Sequence, residues 1–128
     1  MVVVIAGLLI LMGVAIAGVW TRDIIAGEKV DLSRGVFQAR DWEEGPLLWP
    51  HWLAEYATAL LLISGGIALL ADAGWGSPPA ALALGALFYS STNSLGWALA
   101  DRDRYSYAVP MVIGILVSVV GALWLLAR

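Results

Sequence analysis

His51 and Glu55 are the residues whose types and spacing most readily support chemistry in this sequence. They stand four positions apart, so on a helix they share one face, which Thr58 continues. Glu55 is the only charged residue between His51 and Ala71. An ionised carboxylate is costly in such an apolar segment. Glu55 must therefore find a partner, reach the water interface or carry a proton, and His51 is its nearest partner in sequence.

A second polar group interrupts a later apolar segment, in the run YSSTNS at residues 89–94. On a helix, Tyr89 and Asn93 share one face and Ser90 lies beside it. If the two segments form an antiparallel pair, Thr58 is level with Asn93 and Glu55 lies near Gly96. We therefore predict a buried polar cluster with these members: His51, Glu55, Thr58, Tyr89, Ser90 and Asn93.

Three interpretations of this cluster compete. The hydroxyl and amide groups can simply join helices through interhelical hydrogen bonds, worth about 0.6 kcal/mol each. Alternatively, the cluster is a polar cavity that binds a proton, a quinone or a lipid head group, which an intramembrane carboxylate favours. A metal site with His51 as ligand is a weaker third interpretation, because a single histidine lacks the further ligands that a metal needs. The sequence predicts neither a metal site nor a particular cofactor.

The composition indicates a membrane environment for these residues. Hydrophobic residues make up 61% of the 128 residues and charged residues 13%, against about 45–50% and about 25% in soluble domains. The formal net charge is −3 and the basic residues form no patch, so nucleic acid is not an expected partner. Because the chain has no cysteine, disulfides and thiolate sites are excluded.

Four segments are long and apolar enough to span a bilayer, which needs about 20 residues. A span must satisfy its own backbone hydrogen bonds, so we expect four helices within a single domain of residues 1–128. The first segment lacks the basic start of a signal peptide and is expected to be retained. The predicted spans cover residues 1–20, 51–71, 79–100 and 107–127.

The basic residues predict the orientation of these spans. Six of the seven lie in the first and third loops, residues 21–50 and 101–106, and the other is Arg128. Cytoplasmic loops carry the excess of Lys and Arg. We therefore expect a multi-pass protein of the plasma membrane with both termini outside and loops 1 and 3 in the cytoplasm.

Loop 1 contains apolar residues among alternating charges, which predicts a short amphipathic segment on the membrane surface. Asp31 is suited to cap a helix there. The pair Gly45-Pro46 indicates a break before the second span. The segment is either a docking or gating element or simply an interfacial loop.

Rows of small residues indicate where helices pack, because they let backbones approach closely. These rows either seal the bundle or form an oligomer interface. The expected fold is thus an all-α integral membrane protein, a four-transmembrane-helix bundle with an amphipathic interfacial segment in the first loop. The predicted packing residues are Gly13, Ala17, Gly114, Ser118 and Ala122.

The leading functional hypothesis is a small non-enzymatic subunit of a homo-oligomer or of a larger membrane complex. The lipid bilayer and further membrane subunits are the expected partners. The alternative is a transporter or ligand-binding protein that acts through the cluster around Glu55. A membrane enzyme acting on a lipid or isoprenoid is the third hypothesis, and His51 with Glu55 would be its only candidate acid–base pair.

Overall fold

A computed structural model describes residues 1–26, 45–71, 75–100, 102 and 105–127. These residues form four α-helices, so the prediction of an all-helical fold is confirmed for them. Three helices contain segments long and apolar enough to cross a membrane, Val2–Arg22, Pro50–Leu70 and Tyr105–Leu126. The helices are α1 (Val2–Ala26), α2 (Gly45–Leu70), α3 (Ser77–Leu99) and α4 (Tyr105–Leu126).

The third helix differs from the other three in composition. It is 23 residues long and uncharged, but its polar run at residues 89–94 makes it less apolar. Length and composition therefore identify three candidate spans rather than the four predicted from the sequence.

Two helices extend beyond the predicted spans at the end that carries the basic loop. Helix α1 continues past Trp20 to Ala26, and α2 begins at Gly45, before the predicted start at His51. Pro46 occupies the first turn of α2, where a missing N–H costs nothing. The predicted break at Gly45-Pro46 is thus a helix start, and the predicted amphipathic segment lies mainly in residues 27–44, outside the described residues.

The first two helices pack as an antiparallel pair at glycine contacts. A Cβ placed on Gly13 would lie 2.7 Å from the carbonyl oxygen of Ala59. One placed on Gly66 would lie 2.8 Å from the carbonyl oxygen of Ala6. Residue numbers fall along α1 as they rise along α2, so the two helices run in opposite directions.

The next two pairs of consecutive helices, α2 with α3 and α3 with α4, also pack closely. Gly65 of α2 packs against Ala80 of α3, and Gly121 of α4 packs against Leu84 of α3. Near the other end of α3, Ser91 contacts Gly114 of α4. Consecutive helices are therefore antiparallel, which gives an up-and-down arrangement.

The core lies between the helices and consists mainly of leucine and alanine. Leu9, Leu62, Leu84 and Leu87 are fully buried. Helices α1 and α4 approach each other less closely than consecutive helices do. The long side chain of Met12 reaches toward α4 across this wider gap.

The small residues predicted as packing positions lie along these helix contacts. Gly13 is buried against α2, while Gly114 and Ser118 are buried on α4. Ala17 and Ala122 are half-buried. Ser118 also donates a hydrogen bond of 2.7 Å to the carbonyl of Gly114 within α4. Gly13 and Gly114 are therefore engaged inside the bundle.

The outward faces of α1 and α4 are apolar. On α1 and α4 they carry large side chains that are roughly half exposed or more. A soluble protein rarely leaves so many on its surface. They include Val3, Leu11 and Val14 on α1, and Val109, Leu116, Val120 and Leu123 on α4.

Candidate functional site

Glu55 is the centre of the predicted polar cluster. It lies on α2 and is only 5% exposed. The hydroxyl of Ser90 on α3 donates a hydrogen bond of 2.5 Å to Oε1 of Glu55. The hydroxyl of Ser94, one turn along α3, donates to the same oxygen at 3.4 Å. Two hydroxyls of one helix thus serve a single carboxylate oxygen of its neighbour.

His51 lies one turn before Glu55 on α2 and is closer to the helix end. Its Nε2 lies 3.9 Å from Oε1 of Glu55, and its side chain is 25% exposed, against 6% for the glutamate side chain. This separation is too long for a hydrogen bond, so the interaction is electrostatic when the imidazole is protonated. His51 therefore lies between the buried carboxylate and the surface.

Aromatic rings cover this end of the cluster. The Trp20 ring of α1 meets the His51 ring edge-on, with centroids 5.1 Å apart and an interplanar angle of 78°. The Trp20 and Trp52 centroids are 6.4 Å apart, and Trp52 is 2% exposed. Beside them, the hydroxyls of Thr21 and Tyr56 share a hydrogen bond of 2.8 Å. The end of α1 is thereby fixed over the start of α2.

The other predicted members of the cluster are placed differently. Thr58 is buried at 5% exposure, one turn beyond Glu55 on α2. Tyr89 is 72% exposed, and Asn93 is also exposed. The structure thus brings Glu55 together with His51 and Ser90, but turns Tyr89 and Asn93 to the outer side of α3.

Glu55 was predicted to lie near Gly96, whose missing side chain would leave space. Glu55 contacts Ser94, which is two residues from Gly96. Gly96 itself is exposed, and a Cβ placed on it would meet nothing within 4 Å. The hydroxyls of Ser90 and Ser94, rather than open space at Gly96, therefore lie beside the carboxylate.

The polar residues 90–94 of α3 make contacts with α2, with α4 and within α3 itself. Ser90 and Ser94 face Glu55, whereas Ser91, at 4% exposure, faces Gly114 of α4. The Thr92 hydroxyl donates to the carbonyl of Phe88 in its own helix at 2.7 Å. The run thus joins α3 to both of its neighbours in sequence.

The predicted cluster left out two contributors, Ser94 and Trp20. Ser94 follows Ser90 by four positions, so the helix spacing that pairs His51 with Glu55 also signals this residue. Trp20 ends the first predicted span, where an interfacial ring is expected. Its contact with His51 depends on the packing of α1 against α2, which the sequence does not specify.

The site offers few metal ligands. Within the part of the chain that the structure describes, no group of three or more His, Cys, Asp or Glu side chains is placed to hold a metal ion. His51 and Glu55 together provide two such side chains. The geometry instead offers a ligand one carboxylate oxygen, Oε1 of Glu55, and the hydroxyl groups of Ser90 and Ser94.

Comparison with known proteins identifies a family. No curated protein and no solved structure matches the chain significantly. A family described as a domain of unknown function, DUF8058, matches residues 1–128. The match thus includes all four helices and both halves of the Glu55 cluster. This chain of antiparallel apolar helices belongs to the DUF8058 family.

Proposed function

We propose that this protein is a non-enzymatic integral membrane protein of four spans in which Glu55 reversibly binds a proton. The single observation that carries the proposal is the buried carboxylate, 5% exposed, with its two hydroxyl donors from α3. In this arrangement the outer faces of the helices contact lipid, and His51 connects Glu55 to the cytoplasmic side of the membrane.

Several observations support the membrane placement. Three helices are long and apolar enough to span. Arg22, Asp23 and Glu55 are the only charged residues within the four helices, and the first two stand near the end of α1. The large apolar side chains on the outer faces of α1 and α4 suit contact with lipid tails. The basic residues of loops 1 and 3 favour a cytoplasmic position for those loops in the plasma membrane.

The packing of α3 supports its role as the fourth span. The helix is uncharged and packs against both α2 and α4. Ser90, Ser91 and Ser94 are all buried in those contacts. The polar groups that lower its hydropathy are thus largely removed from lipid, which makes the crossing less costly.

A proton is the ligand that fits the closed surroundings of Glu55. The hydroxyls of Ser90 and Ser94 occupy the space beside Oε1, so a quinone or a lipid head group would have to displace them. A proton needs no such room. Glu55 is the only charged residue of α2, and an ionised carboxylate is costly in such an apolar segment.

His51 gives this carboxylate a route to water. The imidazole has one quarter of its side chain exposed and lies 3.9 Å from Oε1. Histidine readily takes up and releases protons near neutral pH. In the proposed orientation, the start of α2 faces the cytoplasm, so the proton is exchanged with that side.

The test is infrared spectroscopy of the protein in lipid vesicles during a pH titration. We expect a protonated-carboxyl band that appears and disappears with pH and that is absent in Glu55→Gln. Ser64→Ala is a matched control on the same helix, because the Ser64 hydroxyl donates to the carbonyl of Leu61 within α2, and it should keep the band. A Glu55→Gln spectrum identical to that of the unmodified protein at every pH would refute the proposal.

A second candidate is the subunit of a homo-oligomer or of a larger membrane complex. The inward small-residue rows no longer favour it, because Gly13 and Gly114 are engaged within the chain. The observation that favours it is the outer side of α3, where Tyr89 and Asn93 are exposed. Native mass spectrometry after gentle extraction from the membrane tests it, and a strictly monomeric, partner-free protein would exclude it.

A further inference from the structure

We infer that the outer face of α3 pairs with the same face of a second copy of this chain, with Asn93 and Tyr89 forming hydrogen bonds across a twofold axis. We define the outer face by its exposed residues Ala81, Gly85, Tyr89, Asn93 and Gly96. The inference rests on the membrane placement proposed above and is independent of the chemistry of Glu55.

The depth of the two polar residues is the first step. Helix α3 runs from Ser77 to Leu99, which places Tyr89 about 15 Å from the end at Leu99 at 1.5 Å per residue. Tyr89 is 72% exposed at this mid-helix position, too deep for its hydroxyl to reach the interface. A polar group in hydrocarbon needs a hydrogen-bonding partner, and lipid tails provide none.

Thr92 shows the contrast. It is exposed on the same side of α3, but its hydroxyl donates to the carbonyl of Phe88 within the helix at 2.7 Å. A short hydroxyl side chain can satisfy itself in this way. The amide of Asn93 has two N–H donors and a carbonyl acceptor. If one N–H donates to a carbonyl of its own helix, the other N–H and the amide oxygen still lack a partner. Asn93 therefore calls for a partner outside the bundle.

A second copy supplies that partner by symmetry. An amide both donates and accepts hydrogen bonds, so two Asn93 side chains that meet at a twofold axis satisfy each other. A twofold interface uses the same patch on both subunits, and Tyr89, one turn away, then meets the partner's α3 as well. This self-complementarity favours a second copy over an apolar partner, which would leave both residues unsatisfied.

The backbone of the outer face is open to close approach. Ala81 and Gly85 stand four positions apart and are both exposed. A Cβ placed on Gly85 or on Gly96 would meet nothing within 4 Å, whereas Gly13 and Gly114 are blocked by neighbouring helices. Small residues four apart let two membrane helices approach each other. The outer face thus joins small residues to hydrogen-bonding groups.

Disulfide crosslinking in lipid vesicles tests the pairing, since the chain contains no cysteine. Asn93→Cys should form a crosslinked dimer on mild oxidation. Val112→Cys is the matched control, because it is 44% exposed on α4 and lies near the same depth, as the contact of Ser91 with Gly114 indicates. It should stay monomeric. Equal crosslinking of both variants, or none of Asn93→Cys, would overturn the inference.

A second measurement uses the unmodified protein, in which Asn93 is still present, as the reference for the variants. Single-molecule subunit counting at increasing lipid dilution should show dimers of the unmodified protein, about tenfold weaker dimers of Asn93→Leu, and monomers of Gly85→Leu. Gly7→Leu, at another open glycine, should dimerise normally. Unmodified protein that is monomeric at every dilution would overturn the pairing.

The two proposals can fail separately. Glu55→Gln should dimerise like the unmodified protein, so loss of the carboxyl band leaves the interface intact. Labelling of Asn93→Cys by a water-soluble maleimide in sealed vesicles would show that the outer face meets water. That result would overturn the inference through the membrane placement on which it rests.

Discussion

The Ser90 hydroxyl donates a hydrogen bond of 2.5 Å to Oε1 of Glu55 and so joins α3 to α2 at the candidate site. The same hydrogen bond therefore holds α2 against α3 and binds the buried carboxylate. A substitution at this contact can change both stability and proton binding, so the two have to be measured separately.

Ser90→Ala should lower the free energy of unfolding by about 1–2 kcal/mol, because a buried acceptor loses a donor. Ser94→Ala should cost less, since its hydroxyl lies 3.4 Å from the same oxygen. Ser64→Ala, which removes a bond within α2, is the control. Reversible unfolding in lipid bicelles measures all three. Equal losses for Ser90→Ala and Ser64→Ala would contradict the assigned contact.

Glu55→Met should abolish the carboxyl band without lowering stability, because a well-packed apolar side chain often replaces a buried ionisable one at no cost. The expected change in unfolding free energy is between zero and a gain of about 1–2 kcal/mol. Unfolding in bicelles checks the stability and infrared titration the band. A loss above about 3 kcal/mol would show instead that Glu55 is mainly a structural link between α2 and α3.

Gly13→Ala should destabilise the bundle by about 1–3 kcal/mol through overpacking, because its Cβ would lie 2.7 Å from the carbonyl oxygen of Ala59. Gly7 and Gly18 are on the same helix with nothing within 4 Å of an added Cβ. Gly7→Ala and Gly18→Ala should be neutral or stabilising by up to about 1 kcal/mol. Equilibrium unfolding tests the contrast, and three equal values would contradict the α1–α2 contact.

His51→Leu should slow proton exchange at Glu55 severalfold while the carboxyl band remains, because the half-buried imidazole lies between the carboxylate and the surface. Time-resolved infrared spectroscopy after a pH jump gives the rate. Tyr56→Phe is the control nearby, since it removes only the hydrogen bond to Thr21. An unchanged rate in His51→Leu would eliminate the imidazole route.

The orientation predicts which loops an impermeant maleimide can reach. Trp75→Cys, in the turn before α3 and 67% exposed, should be labelled from outside intact cells. Ser106→Cys, exposed at the start of α4, should be labelled only in inverted vesicles. Both changes leave the seven basic residues in place. The reverse labelling pattern would show that the topology is opposite to the proposed one and that His51 faces the outside of the cell.

The sequence predicted the centre of the site better than its edges. Glu55 could be found because it is the only charge in its apolar segment, and His51 because helix spacing places it one turn away. The rotation of α3 about its axis could not be found. Its inner face, with Ser90 and Ser94, and its outer face, with Tyr89 and Asn93, are similar in polarity, so amphipathicity does not distinguish them.

Helix ends were missed for a different physical reason. The predicted spans ended where the apolar residues end, at Trp20 and His51. A helix can continue into the polar region beyond the hydrocarbon, because water and head groups satisfy its charged side chains. Helix α1 accordingly includes Arg22. The edge of the apolar segment and the end of the helix are therefore separate boundaries.

The contact between Glu55 and Ser90 spans thirty-five positions of the chain, and this separation has a consequence for biosynthesis. During translation the first hairpin, α1 with α2, is made before the hydroxyl donors on α3 exist. In the proposed membrane placement, the Glu55 carboxylate is therefore made before the Ser90 and Ser94 hydroxyls that bind it, while His51 already lies one turn away on the same helix. The hydrogen bonds that bury Glu55 can thus form only after α3 has been made.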